Sequence, residues 1–144
     1  METFIYEHPK PQPRPRAFSR GGKARMYNPP SADVWKAQVA EGLLEYAHRD
    51  DLDPFLLILT FYMPRPKSHY GTGRNKDKLK DKAPYQHTQK PDIDNLTKAV
   101  MDAITVLNVW RDDSQVVSVR ATKLWSDKPE QAGVNMTMKG IDLD

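Results

Sequence analysis

Residues 64–91 constrain this chain of 144 residues more than any other stretch, because they have no hydrophobic periodicity. Prolines and glycines interrupt them, and lysine alternates with other residues from 76 to 82. A structureless loop of this length inside a small domain is usually functional or disordered. The core must therefore form from the segments that precede and follow the loop. The length of the chain fits one domain.

Before the loop, the pattern predicts a strand, a helix and another strand. Residues 2–8 have a β-favouring centre and predict a short strand. Apolar residues at helical spacing predict an amphipathic helix that ends near His48. The stripe comprises Trp35, Val39, Leu43 and Tyr46. Residues 55–63 are apolar nearly throughout, and so short a run is typical of a central strand buried on both faces.

After the loop, the pattern predicts a second helix and two strands. The helix ends near Asn108. Its apolar stripe comprises Ile93, Leu96, Val100, Ile104 and Leu107. Residues 115–125 and 134–139 alternate between apolar and polar side chains, and residues 126–130 form a turn between them. These two strands are therefore predicted to pair as a hairpin.

The predicted order of elements is β-α-β-loop-α-β-β, which indicates a single α+β domain over residues 1–144. Two main helices on one face of a mixed four-stranded sheet bury the apolar faces in the simplest way. Because 38% of the residues are hydrophobic, the core is expected to be small, and association of subunits would supplement it.

Positive charge is concentrated in two segments, although the net charge of the whole chain is +3. Residues 9–25 contain six basic residues and no acidic one, and residues 64–90 contain eight basic and two acidic residues. The rest of the chain has a net charge of −9. Basic segments of this kind favour a polyanion such as nucleic acid, whereas solubility is the plain alternative.

The first basic segment begins with an alternation of proline. The prolines are Pro9, Pro11, Pro13 and Pro15. Because proline lacks a backbone donor and fixes φ, this stretch is predicted to be an extended arm that holds Arg14 and Arg16 outward. Gly21 and Gly22 predict flexibility beyond the arm.

The composition excludes several classes of protein. The chain contains no cysteine, which rules out disulfide frameworks, thiolate zinc sites and cysteine nucleophiles. No apolar run approaches the ~20 residues of a membrane span, and the first residues lack the features of a signal peptide. We therefore expect a protein of a reducing cytoplasm, without a membrane partner.

Acidic residues bracket the second predicted helix. Asp92 and Asp94 lie at its start, and Asp112 and Asp113 precede the third strand. Asp92 and Asp94 lie on the same side of an extended segment, but inside a helix they point about 200° apart. Oxygen ligands without nearby histidine or cysteine indicate Mg²⁺ or Mn²⁺ rather than zinc. Lys98 lies one helical turn beyond Asp94, on the same face.

Each of these acidic residues also has a structural interpretation. Asp92 or Asp94 is a reasonable N-cap of the helix, and Asp112 with Asp113 is a reasonable turn. The spacing does not separate Asp112 from Asp113 as the closer metal ligand.

Two motifs resemble the signature of the RusA-type Holliday junction resolvases. They are residues 90–103, Lys-Pro-Asp-Ile-Asp-Asn-Leu-Thr-Lys-Ala-Val-Met-Asp-Ala, and residues 110–116, Trp-Arg-Asp-Asp-Ser-Gln-Val. This family consists of crossover junction endodeoxyribonucleases common in bacteriophages and prophages. The resemblance is specific over residues 88–125 and looser elsewhere, where it includes the arm.

The resemblance implies a homodimer that cuts four-way DNA junctions by paired symmetric nicks in recombination and repair, with Mg²⁺ as cofactor and Mn²⁺ as an alternative. By motif position, Asp92, Asp94 and Asp113 match the essential acidic residues, and Lys98 matches the catalytic lysine. Asp112 matches a less critical neighbour, which we include among the expected metal ligands.

The arm and the loop are expected to contact DNA phosphates rather than base edges. The candidate DNA-binding residues are Arg14, Arg16, Arg20, Lys67, Lys76, Lys78, Lys80 and Lys90. No helix presents an obvious array of base-reading side chains, so the sequence does not reveal which nucleotide, if any, is preferred at the cut. Two other functions stay open: a non-catalytic DNA-binding accessory protein of phage replication, and a nuclease with broader specificity for branched DNA or flaps.

Several other residues have mainly structural interpretations. Histidines in a loop, such as His69 and His87, are more often ordinary polar residues than metal ligands or catalytic bases. Tyr70 and Tyr85 either stack on exposed bases or anchor the loop. Trp110 is expected to pack behind the turn that carries Asp112 and Asp113.

Overall fold

The computed structural model describes residues 2–27, 30–44 and 54–140, which contain six strands and two α-helices. The elements are β1 (Glu2–Ile5), β2 (Arg16–Arg20), β3 (Lys23–Tyr27), α1 (Asp33–Gly42), β4 (Phe55–Met63), α2 (Ile93–Val106), β5 (Val116–Trp125) and β6 (Gly133–Gly140). One sheet has the order β1-β6-β4-β5, and β2 and β3 form a second sheet. Because β4 is parallel to β5 and antiparallel to β6, the predicted α+β domain with a mixed four-stranded sheet is confirmed.

Strand β4 is central because every second side chain is large and apolar. Phe55, Leu57, Leu59 and Phe61 are buried beneath the two helices. The alternate residues, such as Ile58, are half-buried. The prediction of a central strand is confirmed, but the prediction that both of its faces are buried is wrong, since α1 and α2 pack on the same face.

Both helices bury the apolar stripes that predicted them. Trp35 and Val39 of α1 are buried, as is the following Leu43, whereas Tyr46 and the predicted end near His48 lie outside the described residues. Helix α2 ends at Val106, and Asn108 then adopts a positive φ of 55°, as is typical after a helix C-terminus. Within the described residues, neither helix is long and apolar enough to cross a bilayer.

The predicted hairpin of β5 and β6 is wrong. The two strands follow each other in sequence, but β4 lies between them and pairs with both. The connection between them passes the end of β4, where the backbone N–H and the hydroxyl of Ser126 donate to the carbonyl oxygen of Met63 at 2.8 and 3.1 Å. The most apolar strand therefore takes the centre of the sheet, where it buries the most surface.

The predicted element order omitted β2 and β3. The arm is irregular up to residue 15, and residues 16–27 then form a two-stranded hairpin, which we call the ribbon. Its turn consists of Gly21 (φ 61°) and Gly22 (φ 75°). Two consecutive residues with positive φ form the tight turn that best matches the twist of a hairpin. The glycines therefore form the turn of the ribbon, and the flexibility predicted beyond them stays a prediction.

The loop of residues 64–91 folds back on itself and on the sheet. It contains two 3-10 turns, Lys67–His69 and Gly73–Asn75, and Tyr70 forms a bridge to Leu79 within the loop. Gln86 forms a second bridge, to Leu124 of β5. The end of the loop therefore runs antiparallel to the last residues of β5 and leads into α2.

Candidate active site and nucleic-acid interface

The start of α2 positions the first two acidic candidates. Asp92 occupies the N-cap position with an extended backbone (φ −72°, ψ 148°), but its side chain makes no capping hydrogen bond. Asp94 lies in the first turn, where its Oδ1 accepts the backbone N–H of Asn95 at 2.8 Å. The extended stretch therefore ends at Asp92, and the two carboxylates do not share one extended segment.

A lysine on β5 fixes the approach to this helix. The Nζ of Lys123 donates to the carbonyl oxygens of Gln89 and Pro91, at 2.7 and 2.8 Å. The peptide bond between Lys90 and Pro91 is cis. Lys123 thus ties the segment that carries Asp92 to the sheet, a role that a lysine in a strand does not by itself indicate.

Asp112 caps the 3-10 turn Asp113–Gln115. Its Oδ1 accepts the backbone N–H of Ser114 at 3.1 Å. In return, the Oε1 of Gln115 accepts the backbone N–H groups of Asp112 and Arg111, at 3.2 and 2.7 Å. This reciprocal arrangement is a capping box, so the structural interpretation of Asp112 holds.

The pKa of Asp113 is raised, in contrast to that of its neighbour. A hydrogen bond with the carboxyl of Asp112 is the largest cause, followed by loss of solvation and by the negative charges of Asp112 and Asp102. The charge of Lys98 acts in the opposite direction. The hydrogen bond lowers the pKa of Asp112. The turn that carries Asp113 contacts α2, the helix that carries Lys98.

A buried tryptophan holds α2 and this turn together. Trp110 is fully buried, and its Nε1 donates to the hydroxyl of Thr105 on α2 at 2.7 Å. Its ring packs against that of Phe55, with centroids 6.1 Å apart. The predicted packing role of Trp110 is confirmed, and it fixes the position of the turn relative to the helix.

The chemistry of the acidic residues fits a divalent cation, although the structure does not group them as a metal site. Asp92, Asp94, Asp112 and Asp113 are all exposed and offer oxygen atoms, the ligands preferred by Mg²⁺. A cation beside Asp113 would offset the negative charges of Asp112 and Asp102. Within residues 2–27, 30–44 and 54–140, however, no three histidine, aspartate or glutamate side chains lie close enough together to hold a metal ion.

The ribbon has two chemically different faces. Its register pairs Arg16 with Tyr27 and Arg20 with Lys23, and alternate residues of a strand point to the same side. One face carries Arg16, Phe18, Arg20, Lys23, Arg25 and Tyr27. The other face carries Ala17, Ser19, Ala24 and Met26. Every residue of both strands is exposed, so the ribbon presents one basic and aromatic surface to solvent.

The loop is fastened to the sheet by buried and half-buried side chains. Arg65 is 6% exposed, and its Nε and Nη1 donate to the carbonyl oxygens of Ser126 and Pro84, at 2.9 and 2.7 Å. The hydroxyl of Tyr70 donates to the carbonyl oxygen of Asp127 at 2.7 Å. The anchoring interpretation therefore holds for Tyr70, whereas Tyr85 is 65% exposed.

Both loop histidines pack against one tryptophan. The rings of His69 and His87 lie 4.9 and 4.3 Å from the ring of Trp125, measured between centroids. Burial is the main reason that the pKa of each histidine is lowered, so both rings favour the neutral form. Their structural interpretation is consistent with this packing.

The arm lies beside the first turn of α2, where the backbone N–H of Gln12 donates to the carbonyl oxygen of Asn95 at 3.0 Å. All eight candidate DNA-binding residues are exposed. Arg16 and Arg20 share one face of the ribbon. Arg14 and Lys90 line a common cleft between the arm and the loop.

Comparison with known families identifies the chain. The family model described as "Endodeoxyribonuclease RusA" matches residues 7–137. The chain belongs to the RusA endodeoxyribonuclease family. The match covers the arm, the ribbon, the loop, α2 and the turn that carries Asp113.

Curated relatives give two levels of similarity within the RusA family. The "Uncharacterized protein YqaN" of Bacillus subtilis (strain 168) is 36% identical over 132 residues, which are 90% of each chain. The "Crossover junction endodeoxyribonuclease RusA" of Escherichia coli (strain K12) is 38% identical over 52 residues. That alignment covers 36% of this chain and 43% of the Escherichia coli protein. The protein of the same name from Shigella sonnei (strain Ss046) aligns with the same figures.

The sequence analysis did not predict two features of this RusA-family chain, the ribbon and the anchoring role of Arg65. The ribbon had a signal, since two glycines between short runs of alternating residues are typical of a hairpin turn. The anchoring role of Arg65 had no signal in the sequence, because nothing distinguishes this arginine from the other basic residues of the loop.

Proposed function

We propose that this chain is an endonuclease that resolves four-way DNA junctions by paired symmetric nicks during recombination and repair. The observation that carries the proposal is that the turn with Asp113 packs against α2, the helix that carries Asp94 and Lys98, beside two exposed basic elements, in a chain of the RusA family. Asp92, Asp94 and Asp113 are the proposed essential acidic residues.

The proposed cofactor is Mg²⁺, with Mn²⁺ as an alternative. Asp92, Asp94 and Asp113 would hold it, with Asp112 as a neighbouring ligand. When bound, such an ion supplies activation of water and stabilisation of the leaving oxygen. Because Asp112 also caps its turn and accepts from Ser114, it would hold the turn of Asp113 in place as well as offer an oxygen atom to the ion. The ammonium of Lys98 stabilises negative charge that develops on the phosphate that is cut.

Contacts with the DNA backbone are assigned to the exposed cations. Arg14, Arg16 and Arg20 belong to the arm and ribbon. Lys67, Lys76, Lys78, Lys80 and Lys90 belong to the loop. These side chains give charge rather than fixed hydrogen-bond geometry, so they position the junction without reading bases.

The proposed assembly is a homodimer. Two coordinated nicks in opposite strands need two active sites, and this chain is expected to supply one of them. A two-fold symmetric dimer places two identical sites about one axis, which matches the symmetry of a four-way junction.

A non-catalytic DNA-binding accessory protein is the second candidate. The capping role of Asp112 and the absence of a grouped metal site among the described residues favour it. A nuclease of broader specificity for branched DNA or flaps is the other alternative to strict junction resolution.

A gel assay separates these functions. A labelled four-way junction is incubated with the protein and Mg²⁺, and then with EDTA in place of Mg²⁺. The proposal predicts paired nicks that require Mg²⁺. Binding without cleavage would support the accessory protein, and equal cleavage of a fork or a linear duplex would support the broader nuclease.

A further inference from the structure

The ribbon exposes two aromatic rings that lie outside the hydrophobic core. Phe18 of β2 is 42% exposed, and Tyr27 of β3 is 45% exposed. The centroids of the two rings lie 5.7 Å apart in an edge-to-face arrangement. The ribbon is a sheet separate from the four-stranded one, and neither ring belongs to the core. Single apolar side chains on a surface are ordinary, but a contiguous exposed pair indicates a surface that binds a partner.

Cations flank both rings on the same face of the ribbon. In the antiparallel register, Phe18 lies opposite Arg25 and Tyr27 lies opposite Arg16. Residues directly opposite each other in a β-ribbon have neighbouring side chains on one face. The same face also carries Arg20 and Lys23. Because the ribbon contains no acidic residue, its partner is expected to be an anion that also offers flat apolar surface.

The opposite face of the ribbon has neither of these features. It carries Ala17, Ser19, Ala24 and Met26, without a charge or an aromatic ring. Both faces are exposed, so exposure alone does not distinguish them. Proteins that bind unpaired nucleic acid combine positive side chains for the phosphates with aromatic rings on which the bases stack. The face with Phe18 and Tyr27 has both kinds of group.

The faces of DNA bases are accessible only where the regular duplex is interrupted. Inside a linear duplex each base is stacked between its neighbours, whereas stacking is broken at the centre of a four-way junction. A two-stranded ribbon also fits the major groove, but there its side chains meet the edges of the bases. Rings at the centre of the ribbon face therefore favour a branch point over a duplex.

We propose that the face of the ribbon with Phe18 and Tyr27 stacks on bases exposed at the branch point, and thereby gives the protein a preference for junctions over linear duplex. This proposal rests on the proposed function, to which it adds the residues that select the branched structure. The flanking cations contact phosphates in any DNA, whereas the rings add affinity only at the branch point. Because every base has a π-face, this stacking tolerates any sequence.

The matched pair Phe18→Ala and Met26→Ala tests this assignment. Both residues are exposed on the same ribbon, but their side chains belong to opposite faces. Affinities for a four-way junction and for a linear duplex are measured in EDTA. The ratio of the two affinities is expected to fall about tenfold in Phe18→Ala. It is expected to stay unchanged in Met26→Ala and in Phe18→Tyr, which keeps a ring. An unchanged ratio in Phe18→Ala, or equal affinities of the unmodified protein for both DNAs, would overturn the proposal.

A photochemical crosslink with the unmodified protein locates the contact. The base analogue 5-iododeoxyuridine is placed at the branch point or, as the control, in the middle of one arm of the junction, and the complex is irradiated in EDTA. The tryptic peptide of residues 17–20, which contains Phe18, is expected to crosslink to the branch point and not to the arm. Equal crosslinking from both positions would place the ribbon in a duplex groove and overturn the proposal.

Both measurements omit Mg²⁺ and so do not depend on cleavage. A branch-point crosslink together with a reduced affinity ratio in Phe18→Ala would support the role of the ribbon even if the protein cut no junction in Mg²⁺. The lack of cleavage would then contradict the proposed function alone. Cleavage of junctions in Mg²⁺ with an unchanged affinity ratio in Phe18→Ala would contradict the role of the ribbon alone.

Discussion

The loop and the ribbon carry similar positive charge but are built in different ways. The loop is fastened to the sheet through Arg65 and Tyr70 and through two histidines on Trp125. The ribbon pairs with itself, and every residue of its strands is exposed. The loop is therefore expected to be part of the cooperative fold, and the ribbon to open independently of it.

This difference shows that a basic segment has two kinds of cation. Arg65 is a basic residue, but it is buried and its hydrogen bonds stabilise the fold. Arg20 and Lys23 flank the turn of the ribbon and serve no internal contact in the described structure beyond their strand pairing. Charge in the sequence thus identifies the candidates for DNA binding, but burial decides which of them are available.

The largest expected effect concerns the anchor of the loop. Arg65→Ala removes two hydrogen bonds from a charged group and leaves the carbonyl oxygens of Ser126 and Pro84 without that donor. The free energy of unfolding is expected to fall by about 3 kcal/mol, measured by urea denaturation. Arg74→Ala, an exposed change in the same loop, is the control and is expected to change it by less than about 0.5 kcal/mol. Equal effects of the two variants would show that the loop is not anchored through Arg65.

The next effect concerns the cations of the ribbon. The double variant Arg20→Gln, Arg25→Gln is expected to weaken junction binding about tenfold and to reduce the salt dependence of affinity by about two phosphate contacts. The midpoint temperature of thermal unfolding is expected to stay unchanged, because the ribbon does not contribute to the core. Filter binding at several salt concentrations measures both quantities.

The corresponding loop variant sharpens the comparison. Lys76→Gln, Lys80→Gln removes two exposed cations from the loop and is expected to give a similar reduction in salt dependence. If the loop variant loses binding and the ribbon variant does not, the ribbon is not part of the DNA interface.

The turn of the ribbon gives a smaller effect. Gly21 has a φ of 61°, where an L-residue is strained by about 1–2 kcal/mol. Gly21→Ala is expected to speed amide hydrogen exchange in β2 and β3 while leaving exchange in β4 unchanged. Gly140→Ala, at an open position on β6, is the control. Faster exchange in β4 would mean that the ribbon and the core unfold together.

The smallest effect is a pH dependence of the loop anchor. Burial lowers the pKa of His69 and His87, helped by the charges of Arg65 and Lys123 respectively. The unfolded chain therefore binds protons first as the pH falls below about 6.5, and the free energy of unfolding decreases there. Above that pH these histidines do not change the free energy of unfolding as the pH changes.

Urea denaturation at pH 5.5 and 7.5 measures this dependence. The double variant His69→Phe, His87→Phe is expected to lose less stability between the two pH values than the unmodified protein, since phenylalanine does not titrate. An equal loss in both proteins would contradict the lowered pKa of the two histidines.

Much of the fold could be predicted because the apolar stripes of both helices and of β4 are strong local patterns. The partners of β5 and β6 could not, since strand order depends on which strand buries the most surface rather than on sequence neighbours. The acidic motif identified α2 and the turn as the candidate site. The capping role of Asp112 and the lysine contact at Pro91 depend on side-chain geometry that spacing does not specify.

The central claim is that the acidic residues at the start of α2 serve catalysis, and one matched pair of variants tests it. Asp94 and Asp33 are exposed aspartates in the first turns of α2 and α1. With a labelled four-way junction and Mg²⁺, Asp94→Asn is expected to abolish cleavage and retain binding, whereas Asp33→Asn cuts at the normal rate. Mg²⁺-dependent cleavage by Asp94→Asn at that same rate would contradict the account.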